Sequence, residues 1–264
     1  MEDRMGYLRF IKTYVLLNIS TAMEYRLNFF LQSFFMILNN VAFILFWYFL
    51  FGTLDSINGW GLQDFVGLFG FAALSFGINA FFFGNWTRVG EIIVNGELDF
   101  YLSLPKDELS HILVSKSSFS GFGDMIFGIV ILLLFYPITL TNVLIFVLGS
   151  LAGALIWAHL LVFAGTLSFW LGESSGFFQS LSHLTHVFTS YPSELFPAII
   201  KMVFFFIFPV FFITNVNVFL LRDFQWIWVV GLVIVTFLVV ALTRFVFKRG
   251  IRRYESGNLV TSRI

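Results

Sequence analysis

Cysteine is absent from this chain of 264 residues, which excludes disulfide bonds and thiolate metal sites. Charge is scarce as well, because Asp, Glu, Lys and Arg make up only 11% of the residues, whereas a soluble domain carries about 25%. So few charged groups cannot cover the surface of a water-soluble fold of this length. A soluble globular protein is therefore excluded, and membrane lipid is the expected solvent.

Apolar residues are what the chain has in excess. They make up 59% of the sequence and include 39 Phe, and the mean hydropathy is +0.91. A helix that crosses the hydrocarbon core needs about 20 mainly apolar residues. The uncharged runs predict an all-α integral membrane protein, with one transmembrane domain over residues 1–264. They place transmembrane helices at residues 27–50, 62–84, 117–137, 143–171 and 224–246, and they leave open whether 174–191 or 202–221 is a further one.

The basic residues predict the orientation of these spans. All Lys and Arg except Lys201 and Arg222 precede the first span, lie in the loop between the second and third spans, or stand at the end of the last span and after it. Basic residues concentrate on the cytoplasmic side of membrane proteins. The pattern therefore predicts a multi-pass protein of the plasma or inner membrane, with both termini in the cytoplasm and an even number of crossings.

Residues 1–26 precede the first span and are predicted to form a cytoplasmic, interfacial helix. Leu8, Ile11 and Val15 fall near one helical face, whereas Arg9 and Lys12 lie elsewhere, and this pattern suits a helix in the membrane interface. The alternative is an early extension of the first span.

Residues 86–116 form the only sizeable loop predicted on the cytoplasmic side. Val89, Ile92 and Ile93 are spaced as one stripe of a helix, and Asn95-Gly96 is a turn signal that ends it. The sequence thus predicts a short amphipathic helix here. The alternative is a solvated loop whose acidic residues only keep it in water.

Several motifs follow one another in a fixed order. Residues 92–99 read IIVNGELD and residues 101–105 read YLSLP. Gly-Asp stands at 123–124, FWLG at 169–172 and YPSELFP at 191–197. With these motifs in this order and spacing, the chain resembles the permease subunits of bacterial type-2 ATP-binding-cassette (ABC) exporters. One departure is Ser190, which stands where those permeases are expected to carry a basic residue.

The resemblance implies a half-transporter of six helices, with a cytoplasmic coupling helix that docks into a groove of a separate ATPase subunit. It also implies an outer re-entrant hairpin over residues 192–221, which makes 174–191 the fifth span. Irregular backbone at such depth must be shielded by protein or face a water-filled cavity. The competing assignment makes 202–221 the fifth span and leaves 174–191 in the cytoplasm.

The ATPase-docking residues that the resemblance implies all belong to the predicted coupling segment. They are Val89, Glu91, Ile92, Ile93, Asn95, Gly96, Glu97, Leu98, Asp99, Leu102 and Pro105. The apolar stripe is expected to fill the partner's groove, while the acids pair with basic groups around it. The chain has no Gly-Lys dipeptide and hence no phosphate-binding P-loop. ATP and magnesium are therefore expected in the partner subunit, and neither a cofactor, a metal nor a catalytic residue is expected in this chain.

Polar residues inside the apolar spans are candidates for the translocation path or gate, because such groups are costly in lipid and often functional. These candidates are Asn39, Asn40, Asp124, His183 and His186, to which the resemblance adds Tyr191, Pro192, Pro197 and Pro209. The alternative for Asp124 is a hydrogen bond that locks two helices together. The two histidines, at positions i and i+3, would make a poor metal pair without carboxylates or cysteines, so interhelical hydrogen bonding is their alternative.

The predicted function is that of a permease subunit in an ATP-driven ABC exporter of a hydrophobic or amphipathic compound, such as a drug, a lipid or a peptide-like molecule. The expected partners are ABC ATPase subunits, a second copy or sister permease, and membrane lipid, but no nucleic acid. A secondary transporter or channel is the first alternative, and a membrane enzyme is the second. The spans offer neither a paired acid and base for ion coupling nor a cluster of nucleophile, acid and base.

Overall fold

The computed structural model describes residues 2–172 and 174–255. Residues 1, 173 and 256–264 of the predicted domain lie outside the described residues. All the regular secondary structure of the described ranges is helical, apart from one isolated bridge between Ile57 and Trp60. The prediction of an all-α fold is confirmed for this part of the chain.

Thirteen α-helices occur in the described ranges. They are α1 (Glu2–Glu24), α2 (Arg26–Phe51), α3 (Leu62–Phe82), α4 (Val89–Val94), α5 (Leu98–Leu102), α6 (Glu108–Val114), α7 (Ser120–Phe135), α8 (Leu140–Thr166), α9 (Ser168–Leu171), α10 (Ser175–Ser190), α11 (Ala198–Met202), α12 (Asn215–Arg222) and α13 (Trp226–Ile251). Turns of 3₁₀-helix lie at Ser193–Leu195 and Val210–Phe212, and one turn of π-helix follows α11 at Val203–Ile207.

Four helical stretches are long and apolar enough to cross a membrane. They are Arg26–Phe51, Leu62–Phe82, Leu140–Leu171, in which α9 follows α8, and Trp226–Ile251. The predicted spans 117–137 and 174–191 contain α7 and α10, each of 16 residues and hence about 24 Å long. The hydrocarbon core is about 30 Å thick. Four spans therefore follow from length and composition, while the count of six and the bounds of the spans stay predictions.

The interior of the bundle is built around α3 and α8. In the most apolar window of each helix, 72% of α3 and 61% of α8 is buried, against 11% of α2 and of α13. Glycines allow α3 and α7 to approach closely. A Cβ atom added at Gly77 would lie 2.7 Å from the carbonyl oxygen of Gly121, and one added at Gly128 would lie 2.8 Å from that of Gly70. Small residues give apolar helices close backbone packing where lipid offers no hydrophobic driving force.

The helix α1 is separate from α2, because the backbone leaves the helical conformation at Tyr25. A continuous extension of the first span would have no such break. An amide side chain also connects α1 to the end of the 86–116 loop, since Asn18 Nδ2 donates to Ser117 Oγ at 3.0 Å and to the Val114 carbonyl at 3.3 Å. This arrangement is compatible with the predicted interfacial helix.

The segment between α10 and α13 leaves the end of α10 and returns to it. Thr214 Oγ1 donates to the Thr189 carbonyl at 2.9 Å, and the backbone N–H of Ser193 donates to Asn215 Oδ1 at 2.7 Å. The residues between these contacts therefore form a segment whose two ends lie next to each other. Its membrane depth, and with it the re-entrant hairpin over 192–221, stays a prediction.

Candidate functional site

The apolar stripe of the 86–116 loop is buried inside this chain. Val89, Ile92 and Ile93 are 1%, 0% and 5% exposed. They hold α4 against the end of α8, where a Cβ added at Gly165 would lie 2.8 Å from the backbone nitrogen of Gly90. The stripe was expected to fill a partner's groove. The structure instead uses it to fix α4 to the bundle.

The other face of the same segment is open. Its exposed residues include Glu91, Val94, Asn95, Glu97, Asp99, Phe100, Leu102 and Pro105. Phe100 is 58% exposed, more than any other large apolar side chain of the segment. The sequence-based prediction did not include Phe100 and Val94. Leu98 and Tyr101 are buried at i and i+3, and recognising that pair would have placed Phe100 on the open face.

A tight turn joins α4 to α5, and a basic residue links the acids on either side of it. Gly96 has φ = 76°, a backbone conformation that favours glycine, and α4 ends just before it, as the Asn95-Gly96 turn signal predicts. Arg88 lies 3.2 Å from Glu91 and 3.8 Å from Glu97. Surface ion pairs of this kind contribute at most about 1 kcal/mol. The two acids thus remain available to a basic surface.

The start of α6 connects the loop to α13. Asp107 caps α6, because its Oδ1 accepts hydrogen bonds from Ser110 N at 3.0 Å and from Ser110 Oγ at 2.6 Å. Burial tends to raise the pKa of Asp107, but these bonds and the charges of Arg244 and Lys248 lower it, and the pKa lies below its usual value. Arg244 Nη2 also donates to Ser110 Oγ at 3.1 Å. The last helix is therefore joined to the loop by a hydrogen bond.

A histidine connects the loop to α1. His111 Nε2 lies 2.7 Å from the Tyr14 hydroxyl, and the rings of Phe10 and Tyr101 pack edge-on against its imidazole. Burial lowers the pKa of His111 below its usual value. A neutral imidazole in this position can exchange one hydrogen bond with Tyr14.

The residues after α13 return to the loop from the other side. The Tyr254 hydroxyl lies next to Asp99, and its ring packs edge-on against Phe169 at 6.2 Å. Burial raises the pKa of Tyr254 to about 12, and the neighbouring Asp99 carboxylate acts in the same direction. Asp99, one of the predicted docking acids, thus lies beside the residues that follow α13.

The predicted path residues do not form one cluster in the described part of the chain. Asn40 Nδ2 donates to Asp124 Oδ1 at 2.7 Å, and both residues are buried, so the pair joins α2 to α7. Asn39 points away from this contact and is exposed. The geometry of Asp124 therefore favours its alternative, a lock between helices.

The histidines of α10 lie elsewhere. His183 and His186 are exposed, and the His186 ring packs 4.9 Å from Trp157 of α8 and 5.5 Å from Phe76 of α3. Among the described residues, no group of three or more His, Cys, Asp or Glu side chains is placed to hold a metal ion.

The predicted gate residues that follow α10 differ in burial. The Tyr191 ring packs 6.1 Å from Trp47, Pro192 and Pro209 are buried, and Pro197 is exposed. The structure thus brings Tyr191 against α2 but does not place these residues around a common opening.

The fold and this site define a multi-pass, all-helical membrane protein with a loop held by its first, eighth and last helices. Residues 37–258 match the family model described as ABC-2 family transporter protein, and the chain belongs to that family. It is accordingly a permease component of an ABC transporter. No curated protein and no solved structure matches the chain.

Proposed function

We propose that this chain is the transmembrane subunit of an ATP-driven exporter, and that a separate ABC ATPase docks on the open face of the 86–116 loop. Membership of the ABC-2 transporter family supports the pairing. The absence of a Gly-Lys dipeptide supports the separation, because a chain without a P-loop needs another subunit to bind ATP. ATP and magnesium would then be held by that subunit.

The observation that carries this proposal is the way the loop is fixed to the bundle. Its buried stripe packs on α8, Ser110 bonds to Arg244 of α13, and His111 bonds to Tyr14 of α1. A force applied to the open face would reach three helices without unfolding the loop. Displacement of an element that is packed in this way can be passed on to the helices it contacts.

The composition of the open face supports a protein partner. Phe100, Val94 and Leu102 are exposed apolar side chains, and Glu91, Glu97 and Asp99 are exposed acids of the same segment. An apolar centre with a charged rim is the common arrangement of protein interfaces. We therefore place Phe100 at the centre of the docking surface, with the acids facing basic groups of the ATPase.

Exposed polar residues on the helices support a second permease subunit, either another copy or a sister chain. Asn39 of α2 and His183 and His186 of α10 are exposed, and polar groups of this kind are costly against lipid. They would face the second subunit or the path between the two. Such a path, lined largely by apolar side chains, suits a hydrophobic or amphipathic substrate. Tyr191 and the prolines after it are the proposed gate.

A secondary transporter or channel has no specific observation in its favour. The buried acid Asp124 is hydrogen-bonded to the amide of Asn40 rather than to a basic group, and ion-coupled transporters use titratable groups that can exchange partners.

Reconstitution tests the proposal. The chain is placed in proteoliposomes with an ABC ATPase, and the movement of a fluorescent amphipathic compound is followed with ATP, without ATP, and with a Walker-A lysine variant of the ATPase. We expect transport only with ATP and the intact ATPase. If the chain alone moved the compound as fast as the complete system with ATP, the result would favour a secondary transporter or channel.

A further inference from the structure

A crevice of about 510 Å³ lies between α11, α12 and the start of α13. Its lining residues are Ser193, Glu194, Lys201, Phe205, Phe219, Arg222, Asp223, Gln225 and Trp228. Arg222 pairs with Asp64 in the first turn of α3. Because α3 has 21 residues and is about 30 Å long, this Lys201 crevice lies at the end of the bundle opposite the 86–116 loop.

One cation of the crevice is fixed and the other is free to bind. Arg222 lies 3.4 Å from Asp64, donates to the Gly59 carbonyl at 2.7 Å and stacks 5.2 Å from the Trp60 ring. The ion pairs among the described residues do not include Lys201. A positive charge without an acidic partner is therefore available in the crevice.

The two acids of the crevice have neutral partners. Glu194 Oε2 accepts from Ser193 Oγ at 3.1 Å, and Asp223 Oδ2 accepts from Gln225 Nε2 at 2.7 Å. Neither bond neutralises a carboxylate. The crevice thus presents a free ammonium group together with two carboxylates that lack a basic partner.

Opposite charges in one crevice select a ligand that carries both. An anionic ligand would pair with Lys201 but leave the acids facing its charge, and a cationic ligand would leave Lys201 unpaired. A zwitterion satisfies both sets, because its phosphate can pair with Lys201 and its ammonium group with Glu194 and Asp223.

The walls of the crevice indicate that this zwitterion carries apolar chains. Phe205, Phe219 and Trp228 form an aromatic wall, and the Phe219 and Trp228 rings lie 5.3 Å apart. Next to Phe205 and Trp228 in the chain stand Phe206, 81% exposed, and Ile227, 72% exposed. Exposed apolar side chains therefore lie beside the aromatic wall of the crevice, where acyl chains can pack.

We propose that the Lys201 crevice binds the headgroup of a zwitterionic phospholipid of the phosphatidylethanolamine class, with its acyl chains against the aromatic wall. Binding at this crevice does not depend on the partner ATPase. It can therefore be measured on the purified chain, and its outcome is separate from that of the transport assay.

Native mass spectrometry of the chain in detergent tests the assignment. The protein is titrated with phosphatidylethanolamine and with anionic phosphatidylglycerol of the same acyl chains. We expect the zwitterionic lipid to bind at least about fivefold more tightly than the anionic lipid. Each charge left without a partner loses about the free energy of one surface ion pair. Equal affinity for the two lipids would overturn the proposal.

Two substitutions locate the site. Lys201→Gln and Glu194→Gln are each expected to weaken phosphatidylethanolamine binding by about fivefold, while both variants elute as the wild type does from a sizing column. Asp55→Asn is the matched control, because Asp55 is exposed in the loop between α2 and α3 and does not line the crevice. Unchanged binding by Lys201→Gln and Glu194→Gln would contradict the site.

A soluble competitor distinguishes a lipid from a free headgroup. Glycerophosphoethanolamine has both charges but no acyl chains, and we expect no competition at concentrations equal to that of the lipid. Competition at equal concentration would show that the aromatic wall contributes nothing, and it would overturn the assignment to a lipid.

Discussion

The side-chain amide of Asn40 donates a hydrogen bond of 2.7 Å to the carboxyl group of Asp124, and both side chains are buried between α2 and α7. The second carboxyl oxygen of Asp124 has no hydrogen-bond partner among the described residues. Removing the amide would therefore leave Asp124 wholly without one. Helix contacts of this type stabilise membrane proteins by about 0.6 kcal/mol on average, and at most by about 2 kcal/mol.

We predict that Asn40→Leu lowers the thermal unfolding temperature, because the buried carboxyl group loses its donor. Asn39→Leu is the matched control, since Asn39 is the adjacent residue of α2 but is exposed. The double variant Asn40→Leu, Asp124→Leu should lose less than the sum of the single losses. Additive losses would show that the two side chains do not stabilise each other.

The close approach of α3 and α7 gives a second prediction. Gly77→Ala places a Cβ atom 2.7 Å from the Gly121 carbonyl oxygen, so the helices must separate, at a cost of about 1–3 kcal/mol. Gly176→Ala in α10 is the control, because a Cβ added there meets nothing within 4 Å. Thermal unfolding in detergent should distinguish the two variants, and equal unfolding temperatures would contradict the packing.

The pKa of His111 gives a pH dependence. The unfolded chain titrates this residue near pH 6.5, and burial lowers the pKa in the folded protein. Between the two pKa values the unfolded chain binds more protons than the folded protein. The free energy of unfolding therefore decreases as the pH falls below 6.5, whereas above that pH the contribution of the neutral His111 is fully present. We therefore expect the unfolding temperature of the wild type to fall more steeply below that pH than that of His111→Gln. Parallel curves would show that His111 does not carry the effect.

The docking surface gives a prediction on coupling. Asp99→Lys reverses one charge of the open face, and we expect roughly a tenfold loss of ATP-dependent transport with normal membrane insertion. Asp55→Lys changes an exposed acid at the opposite end and should leave transport unchanged. Tyr254→Phe distinguishes the charge of Asp99 from its contact with Tyr254, because this variant removes the neighbouring hydroxyl and keeps the carboxylate. Normal transport by Asp99→Lys would contradict docking at this residue.

Composition and hydrophobic runs predicted much of the fold, because length and apolarity decide which segments can lie in lipid. The runs that hold α2, α3, α8 and α13 were found in this way. The count of crossings depends on α7 and α10, whose 16 residues are short for a membrane. Periodicity also identified the stripe of Val89, Ile92 and Ile93, but it could not tell whether α8 or a partner covers that stripe.

The site was predicted less completely than the fold. The contact between Asn40 and Asp124 joins residues 84 positions apart, and spacing along one helix carries no information on such pairs. Phe100 was not predicted, because the spacing of the acids in its segment does not indicate which apolar side chains turn inward. Its neighbours Leu98 and Tyr101 are buried while Phe100 is 58% exposed, a difference that depends on the packing of α5.

Site-directed photo-crosslinking tests the central claim most directly, which is that the open face of the 86–116 loop contacts a separate ATPase. A benzophenone amino acid replaces Phe100 in one variant and Phe224, an exposed residue at the other end of the bundle, in the control. After co-expression with an ABC ATPase and illumination, we predict a crosslinked product from position 100 and none from position 224. A crosslink from position 224 alone, or labelling of position 100 from outside intact cells, would contradict the account.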